Sequence, residues 1–149
     1  MSLPARLASL GGIGHLRPAP GTWGSAAVLP CAWLGPLPCL VLAVAAFGLG
    51  LWALRRLHSE AAADPGWVVI DEAAGQLIAL AALPAATGLV GVALAFGLFR
   101  LFDITKSGPV GWADRQYGPM GIMLDDVIAG ALAAAIIGII QVLAPGVIA

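Results

Sequence analysis

The sequence predicts an all-α protein that crosses a membrane several times, and composition and charge spacing carry this prediction. Apolar residues make up 60% of the 149-residue chain, charged residues make up only 10%, and the mean hydropathy is +0.98. Soluble domains contain about 45–50% apolar and about 25% charged residues. Seven basic and eight acidic side chains cannot cover a soluble domain of this mass. The composition therefore excludes soluble globular and disordered proteins, and the net charge of −1 argues against nucleic-acid binding.

Three long blocks of the chain contain no Asp, Glu, Lys or Arg. They cover residues 26–54, 73–99 and 127–149, which are 29, 27 and 23 residues long. Because about 20 apolar residues cross the hydrocarbon core of a bilayer, each block is long enough to span it. We expect a single membrane domain over residues 1–149, with no targeting segment apart from the spans themselves.

Proline and glycine interrupt the first two blocks near their middles. Gly35, Pro36 and Pro38 break the first block, and Pro84 and Gly88 break the second. Because proline removes a backbone donor and clashes with the preceding turn, we expect a kink or a hairpin at each point. The hairpin interpretation predicts two broken-helix hairpins and a C-terminal span, with helices near residues 22–35, 37–55, 67–83, 86–102 and 124–143. A chain with three simple spans is the alternative.

The hairpin interpretation has a consequence that the three-span alternative lacks. It brings all seven basic and all eight acidic side chains to one membrane face, whereas three spans would separate Asp71 from Asp103 and Asp125. Because basic residues favour the cytoplasmic side of a membrane, this face is predicted to be cytoplasmic. We therefore favour the hairpins.

Three polar clusters are candidates for chemistry, and the first is a Gly- and Pro-rich segment that runs into an apolar helix. It reads Pro20-Gly21-Thr22-Trp23-Gly24-Ser25. Thr22 and Ser25 are expected to cap the helix, which would leave free backbone N–H groups for a phosphate. Plain N-capping without a ligand is the alternative.

The second cluster is the acidic pair at the start of the 27-residue block. Glu72, Gly75 and Gln76 share a helical face, since they are three and four residues apart. Asp71 and Glu72 could simply stabilise the positive end of a helix. Carboxylates at the edge of hydrocarbon are costly, however, and usually have a partner or an ion. We favour a functional site.

The third cluster combines cations with carboxylates. Arg100, Asp103 and Lys106 recur every three residues, so a helix would align them, and Asp125 and Asp126 are expected to open the last apolar helix. Salt bridges and a helix cap would explain these residues without function. Oxygen ligands suit Mg²⁺, however, and Arg and Lys bind phosphate oxygens. The cluster therefore suggests a metal and phosphate site.

The order of these motifs resembles the phosphatidylglycerophosphatase A family of bacterial membrane lipid phosphatases. The motifs are PGT-x-GS from Pro20, DE-x-x-G from Asp71, FR-x-FD-x-x-K from Phe99 and GIMLDD-x-x-AG from Gly121. The resemblance implies Mg²⁺-dependent hydrolysis of phosphatidylglycerophosphate to phosphatidylglycerol at the cytoplasmic face of the bacterial inner membrane.

The same resemblance implies roles for individual residues. The implied metal ligands are Asp71, Glu72, Asp103, Asp125 and Asp126. The implied catalytic residues are Asp71, Glu72, Asp103, Arg100 and Lys106. The implied phosphate-binding residues are Thr22, Gly24, Ser25, Arg100 and Lys106. One motif departs from the family, because its Lys-Pro-x-Pro is Lys106-Ser107-Gly108-Pro109 here. Another lipid phosphate is therefore an alternative substrate, and a small transporter subunit is the alternative outside the phosphatases.

The last span also predicts an interaction between helices. Gly130, Ala134 and Gly138 repeat every four residues, a spacing of small side chains that permits close approach of two backbones. An Ala-rich helix can offer this spacing by chance. We expect contact with another helix there, including a possible homo-oligomer.

Overall fold

The protein is all-α, as the sequence predicts. A computed structural model describes residues 1–57 and 64–149, and those residues form seven α-helices and two short 3-10 helices, with no strand among them. The α-helices are α1 (Leu3–Ala8), α2 (Pro20–Ala27), α3 (Pro36–Leu57), α4 (Ile70–Ala81), α5 (Leu89–Thr105), α6 (Pro109–Asp114) and α7 (Gly118–Leu143). The 3-10 helices cover Leu10–His15 and Leu29–Leu34.

Helix α4 is the central helix of the bundle. It packs most extensively against α7 and α3, and it also contacts α2 and α5. Small and apolar side chains on several sides of α4 are buried, among them Ala73, Ala74, Leu77 and Leu80. A helix that is apolar all round belongs inside a bundle. The acidic pair at the start of α4 is therefore held among neighbouring helices.

The chain reverses direction where the hairpin interpretation placed its two breaks. Gly35, with φ of 97°, separates the second 3-10 helix from α3, and residues 82–88 separate α4 from α5. Helix α5 runs back along α4, because the ring of Phe99 near its end lies beside Gly75 near the start of α4. These reversals agree with the hairpin interpretation, although α2 and the second 3-10 helix replace the single helix expected over residues 22–35. The number of membrane crossings stays a prediction.

Several helices begin earlier than the sequence predicted, and proline is the reason. Helix α2 begins at Pro20 rather than residue 22, and α7 begins at Gly118 rather than residue 124. The short helix α6 begins at Pro109, between the helices predicted near residues 86–102 and 124–143. Proline is favoured in the first turn, where its missing N–H has no partner in any case. The expectation that Asp125 and Asp126 open the last helix is therefore wrong, since they lie two turns inside it.

Two of the helices are long and apolar enough to cross a membrane by length and composition. They are α3 with 22 residues and α7 with 26 residues, and at 1.5 Å per residue they are about 33 and 39 Å long. Helix α4 is only 12 residues long and α5 only 17, so their hairpin is shorter than either.

The tip of the α4–α5 hairpin is closed by polar contacts from the end of the chain. The side-chain amide of Gln141 donates to the carbonyl of Ala82. The hydroxyl of Thr87 donates to the carbonyl of Ile148 at 3.1 Å, and the Ile148 side chain is fully buried. These contacts partner backbone carbonyls that would be costly to leave unpaired in an apolar surrounding.

A contact between two glycines brings α4 directly against α7. A Cβ atom on Gly130 would lie 2.9 Å from the carbonyl carbon of Gly75, and a Cβ atom on Gly75 would lie 2.9 Å from the carbonyl carbon of Asp126. Real Cβ atoms essentially never approach so closely, so only glycine fits at both positions. The contact confirms that small residues of α7 pack against another helix, and that helix is α4 of the same chain.

The homo-oligomer stays a prediction, and fewer of the three small residues of α7 remain available for contact with a second copy of the chain. Gly130 lies inside the chain and is not available to a second copy. Ala134 is half-buried, and a Cβ atom on Gly138 would meet nothing within 4 Å. Of the three predicted positions, Gly138 is the open one.

Candidate functional site

Three acidic side chains meet where α4 crosses α7. One carboxylate oxygen from each of Asp71, Glu72 and Asp126 lies within 4.8 Å of the others. Asp71 and Asp126 are buried, with 5% and 3% of their surface exposed. We call these three residues the carboxylate triad.

The glycine contact explains why the triad forms. Asp71 lies four residues before Gly75, and Asp126 lies four residues before Gly130. Four residues are about one helical turn, so each acid lies one turn before the glycine contact on its own helix. Because α4 and α7 run in the same direction there, their two backbones set the spacing between the acids.

The carboxylate triad fits a divalent metal ion. Buried oxygens of Asp71, Glu72 and Asp126 have no hydrogen-bond partner among the described residues. Like charges this close repel, and a buried charge without a partner is costly. Mg²⁺ prefers oxygen ligands of this type and compensates their charge. These three acids could therefore hold the ion.

The other two acids predicted as metal ligands lie in ion pairs instead. Asp103 accepts a hydrogen bond from Arg100, and Asp125 accepts one from Lys106. Lys106 also lies 3.7 Å from the carboxylate of Asp103 and 3.2 Å from that of Asp114. Three of the five predicted metal ligands thus form the triad, and the other two, Asp103 and Asp125, form ion pairs with Arg100 and Lys106. The predicted alignment of Arg100, Asp103 and Lys106 is confirmed.

Lys106 ties three helices together at the end of α5. Its side chain reaches acids of α5, α6 and α7, and its backbone is left-handed, with φ of 50°. A left-handed residue other than glycine costs about 1–2 kcal/mol. Burial lowers the pKa of Lys106, but the hydrogen bond and charge of Asp125 and the charges of Asp126 and Asp103 outweigh it, so the pKa is raised. Lys106 therefore stays cationic beside the triad.

The start of α2 lies beside the carboxylate triad. A Cβ atom on Gly21 would clash with the carboxylate of Glu72 and would lie 3.3 Å from Nη1 of Arg100. The first backbone bond of α2 runs from Trp23 to Ala19 at 3.2 Å, so the N–H groups of Gly21 and Thr22 precede the helical ladder. Such N–H groups and a guanidinium are anion-binding groups.

The predicted capping of α2 by Thr22 and Ser25 is wrong. The N-cap is Ala19, and no side chain bonds there, because Pro20 starts the helix and places both residues inside it. The buried Ser25 hydroxyl donates to the carbonyl of Gly21 at 2.8 Å. Gly24 packs against Val69, which lies 2.7 Å from a Cβ atom built on Gly24. Ser25 and Gly24 therefore position α2, whereas Thr22 stays at its open first turn.

Gln76 is a residue of the site that the sequence reasoning did not select. Its side chain is fully buried, and neither its amide nitrogen nor its amide oxygen has a partner among the described residues. It lies one turn after Glu72 on the same face of α4. A glutamine within a block free of charges was the available signal. Because buried amides usually form hydrogen bonds, Gln76 is available to bind a ligand at the site.

The arrangement combines the groups that phosphoryl transfer requires. Acidic oxygens able to hold a metal ion lie beside two cations and beside the open N–H groups of a helix. Metal ions and cations stabilise the charge on a phosphoryl group in the transition state. The described residues thus form a candidate site for phosphate chemistry.

Comparison with known proteins agrees with this chemistry. The family model described as phosphatidylglycerophosphatase A matches residues 6–141. Phosphatidylglycerophosphatase A of Haemophilus influenzae is 36% identical over 93% of this chain and 89% of its own length. The Escherichia coli protein of the same name is 38% identical over 92% and 83%. A Bacteroides thetaiotaomicron relative with phosphatidylinositol-3-phosphatase in its name is 36% identical over 86% and 87%. No solved structure matches the chain.

Proposed function

Because the chain belongs to the phosphatidylglycerophosphatase A family, whose members hydrolyse a phosphate monoester, we propose that it acts on phosphatidylglycerophosphate. The products are phosphatidylglycerol and inorganic phosphate, which makes the reaction a step of phospholipid biosynthesis. The observation that carries the proposal is the carboxylate triad beside Arg100 and the start of α2. A transporter subunit would not need this combination.

In the proposed mechanism Asp71, Glu72 and Asp126 would hold Mg²⁺. The bound ion would polarise the phosphoryl group and lower the pKa of water. Asp103 and Asp125 orient the two cations, since each carboxylate is paired with Arg100 or Lys106. Their proposed role is therefore positioning rather than ligation.

The cations and the helix start would bind the terminal phosphate. Arg100 has a buried Nε without a partner, although its Nη1 bonds to Asp103, so the guanidinium retains a donor. The N–H groups of Gly21 and Thr22 would supply further donors, since Gly21 lies beside both Glu72 and Arg100. Hydrolysis breaks the bond from phosphorus to the glycerol oxygen, which leaves with a proton while water supplies the new oxygen on phosphorus.

We test this function with the purified protein in detergent and phosphatidylglycerophosphate as substrate. Phosphate release is expected with Mg²⁺. EDTA should abolish it, because without a cation the negative charge of the triad would repel the phosphate of the substrate. Restoring Mg²⁺ in excess over EDTA should restore the activity, which separates metal removal from denaturation. Undiminished phosphate release in EDTA would contradict the metal site.

The relative from Bacteroides supports a comparison of substrates in the same assay. Phosphatidylinositol 3-phosphate also carries a phosphate monoester beside a phosphodiester. We expect phosphatidylglycerophosphate to be the better substrate by kcat/KM, because two relatives named for that activity match over most of their length. A higher kcat/KM for the inositol lipid would reassign the substrate and leave the reaction class intact.

We further propose that the protein is a multi-pass protein of the bacterial inner membrane with its site on the cytoplasmic side. In a variant without Cys31 and Cys39, an impermeant maleimide should label Ser107→Cys only after lysis of spheroplasts. Ser107 is exposed and follows Lys106 at the charged end of the bundle. Val142→Cys, 81% exposed near the far end of α7, should be labelled in intact spheroplasts. The opposite pattern would reverse the orientation.

A further inference from the structure

A cavity of about 480 Å³ lies next to the carboxylate triad and is not used by the mechanism above. It is an open cleft lined by the end of the first 3-10 helix, the segment that leads into α2 and the residues before α4. Its lining includes Gly14, His15, Arg17, Pro20 and Trp67. Ligand sites in proteins are clefts of about 300–1,000 Å³, so the cavity is large enough for a lipid head group.

The cavity wall is built by tight local packing. The ring of His15 stacks on the ring of Trp67, with centroids 5.9 Å apart and an angle of 15° between the planes. A Cβ atom on Gly14 would lie 2.8 Å from the carbonyl carbon of Trp67, so only glycine allows this approach. The side chain of His15 is therefore held in place at the wall.

The charge of the lining is basic. His15 and Arg17 are its titratable side chains, and no carboxylate lines this cavity among the described residues. The triad, Asp103 and Asp125 make the neighbouring site strongly acidic. Two basic side chains kept apart from those acids favour an anion, and a guanidinium binds phosphate oxygens with two parallel hydrogen bonds.

The cavity adjoins the triad across the start of α2. Pro20 lines the cavity, and the next residue, Gly21, lies against the carboxylate of Glu72 and the guanidinium of Arg100. On the other side, Trp67 lies four residues before Asp71. A molecule that reaches both sites needs one anionic group for each, joined by a short linker.

Phosphatidylglycerophosphate has this form, because three glycerol carbons connect its terminal phosphate monoester to a phosphodiester. We propose that Arg17 and His15 bind the phosphodiester that the reaction leaves intact, so that this cavity selects lipids with a second phosphate. The inference rests on the proposed function and deepens it. Phosphatidate has the monoester but no phosphodiester. It can bind its monoester at the triad but has no phosphate to place in this cavity.

The experiment compares both lipids as substrates in the same mixed micelles. The full chain is tested as the wild type, Arg17→Ala, His15→Ala and Arg17→Lys. Arg55→Ala is the matched control, because Arg55 is exposed in the last turn of α3 and lies outside the cavity. Arg17 and His15 are exposed, so their replacement should leave the fold intact, and melting of each variant in detergent verifies this.

We expect Arg17→Ala to raise KM for phosphatidylglycerophosphate about 10-fold, which corresponds to about 1.4 kcal/mol, with little change in kcat. The kcat/KM for phosphatidate should stay within about twofold of the wild type. The preference for phosphatidylglycerophosphate over phosphatidate therefore falls. Arg17→Lys should keep part of the preference, and Arg55→Ala should keep all of it.

A second measurement uses phosphatidylglycerol, which retains the phosphodiester and lacks the monoester. It should inhibit the wild type competitively, and Arg17→Ala should raise its inhibition constant by a similar factor. Equal losses on both lipids, or an unchanged preference in Arg17→Ala and His15→Ala, would overturn this inference and leave the proposed function standing. A wild type that hydrolyses phosphatidate but not phosphatidylglycerophosphate would instead overturn the proposed function and this inference with it.

Discussion

Replacing Asp126 by Asn should lower kcat/KM for phosphatidylglycerophosphate by about 10²-fold or more, which is the scale of losing one electrostatic contact in the transition state. The change removes one charge from the carboxylate triad and leaves an amide that is a poor ligand for Mg²⁺. Asp71→Asn should behave in the same way. Asp71 lies in the first turn of α4 and Asp126 two turns inside α7. Since removal of a buried charge lowers the cost of desolvation, the variants should remain folded.

A comparison of Asp103 with Asp126 distinguishes an acid that positions the cations from an acid that binds the metal ion. Asp103→Asn should also lose activity, because Asp103 holds Arg100 and Lys106. The Mg²⁺ concentration for half-maximal activity should rise strongly in Asp126→Asn and change little in Asp103→Asn. Asp114→Asn is the control, since its side chain is 43% exposed and an exposed ion pair contributes at most about 1 kcal/mol, or about fivefold. Near-normal hydrolysis by Asp126→Asn would refute the triad as the metal site.

The second large effect is expected where α4 touches α7. Gly130→Ala places a methyl group where the backbone of Gly75 already lies, so the helices must separate. Overpacking of this kind costs about 1–3 kcal/mol, and it also moves Asp126 away from Asp71. We therefore expect a lower melting temperature in detergent together with lower activity.

The same substitution elsewhere in α7 provides the matched control. A Cβ atom on Gly138 would meet nothing within 4 Å, and alanine is about 1 kcal/mol better than glycine inside a helix. Gly138→Ala should therefore melt at an equal or higher temperature and keep full activity. If both variants melt alike, the close contact between Gly75 and Gly130 is not a determinant of stability.

The sequence predicted the helical class and the course of the chain because both depend on local patterns. Blocks without charges marked the helices, and Gly35 and the Pro84–Gly88 segment marked the reversals. Helix starts were less predictable, since Pro20, Pro109 and Pro119 look the same in a loop as in a first turn. Only the structure distinguishes these two settings.

The candidate site was predictable as a set of residues but not as a division of roles. Spacing along one helix predicted the pairing of Arg100 with Asp103. The assignment of Asp125 to Lys106 and of Asp126 to the triad depends on how α7 is rotated against α4 and α5. Adjacent residues of a helix point about 100° apart, so Asp125 and Asp126 reach different partners once that rotation is fixed. The spacing placed Gln76 on the face of Glu72, but only the structure shows that its amide is buried without a partner among the described residues.

The unequal lengths of the helices have a consequence for the surrounding bilayer. Helices α3 and α7 are about 33 and 39 Å long, whereas the α4–α5 hairpin is about 18–25 Å deep and is closed by Gln141 and Ile148. A thinner or thicker membrane would be accommodated by tilt of the long helices. The tip of the α4–α5 hairpin is closed by contacts within the chain, so the hairpin need not tilt with the long helices. Because the triad lies at the start of α4 and in the first turns of α7, we expect its geometry to be insensitive to lipid chain length.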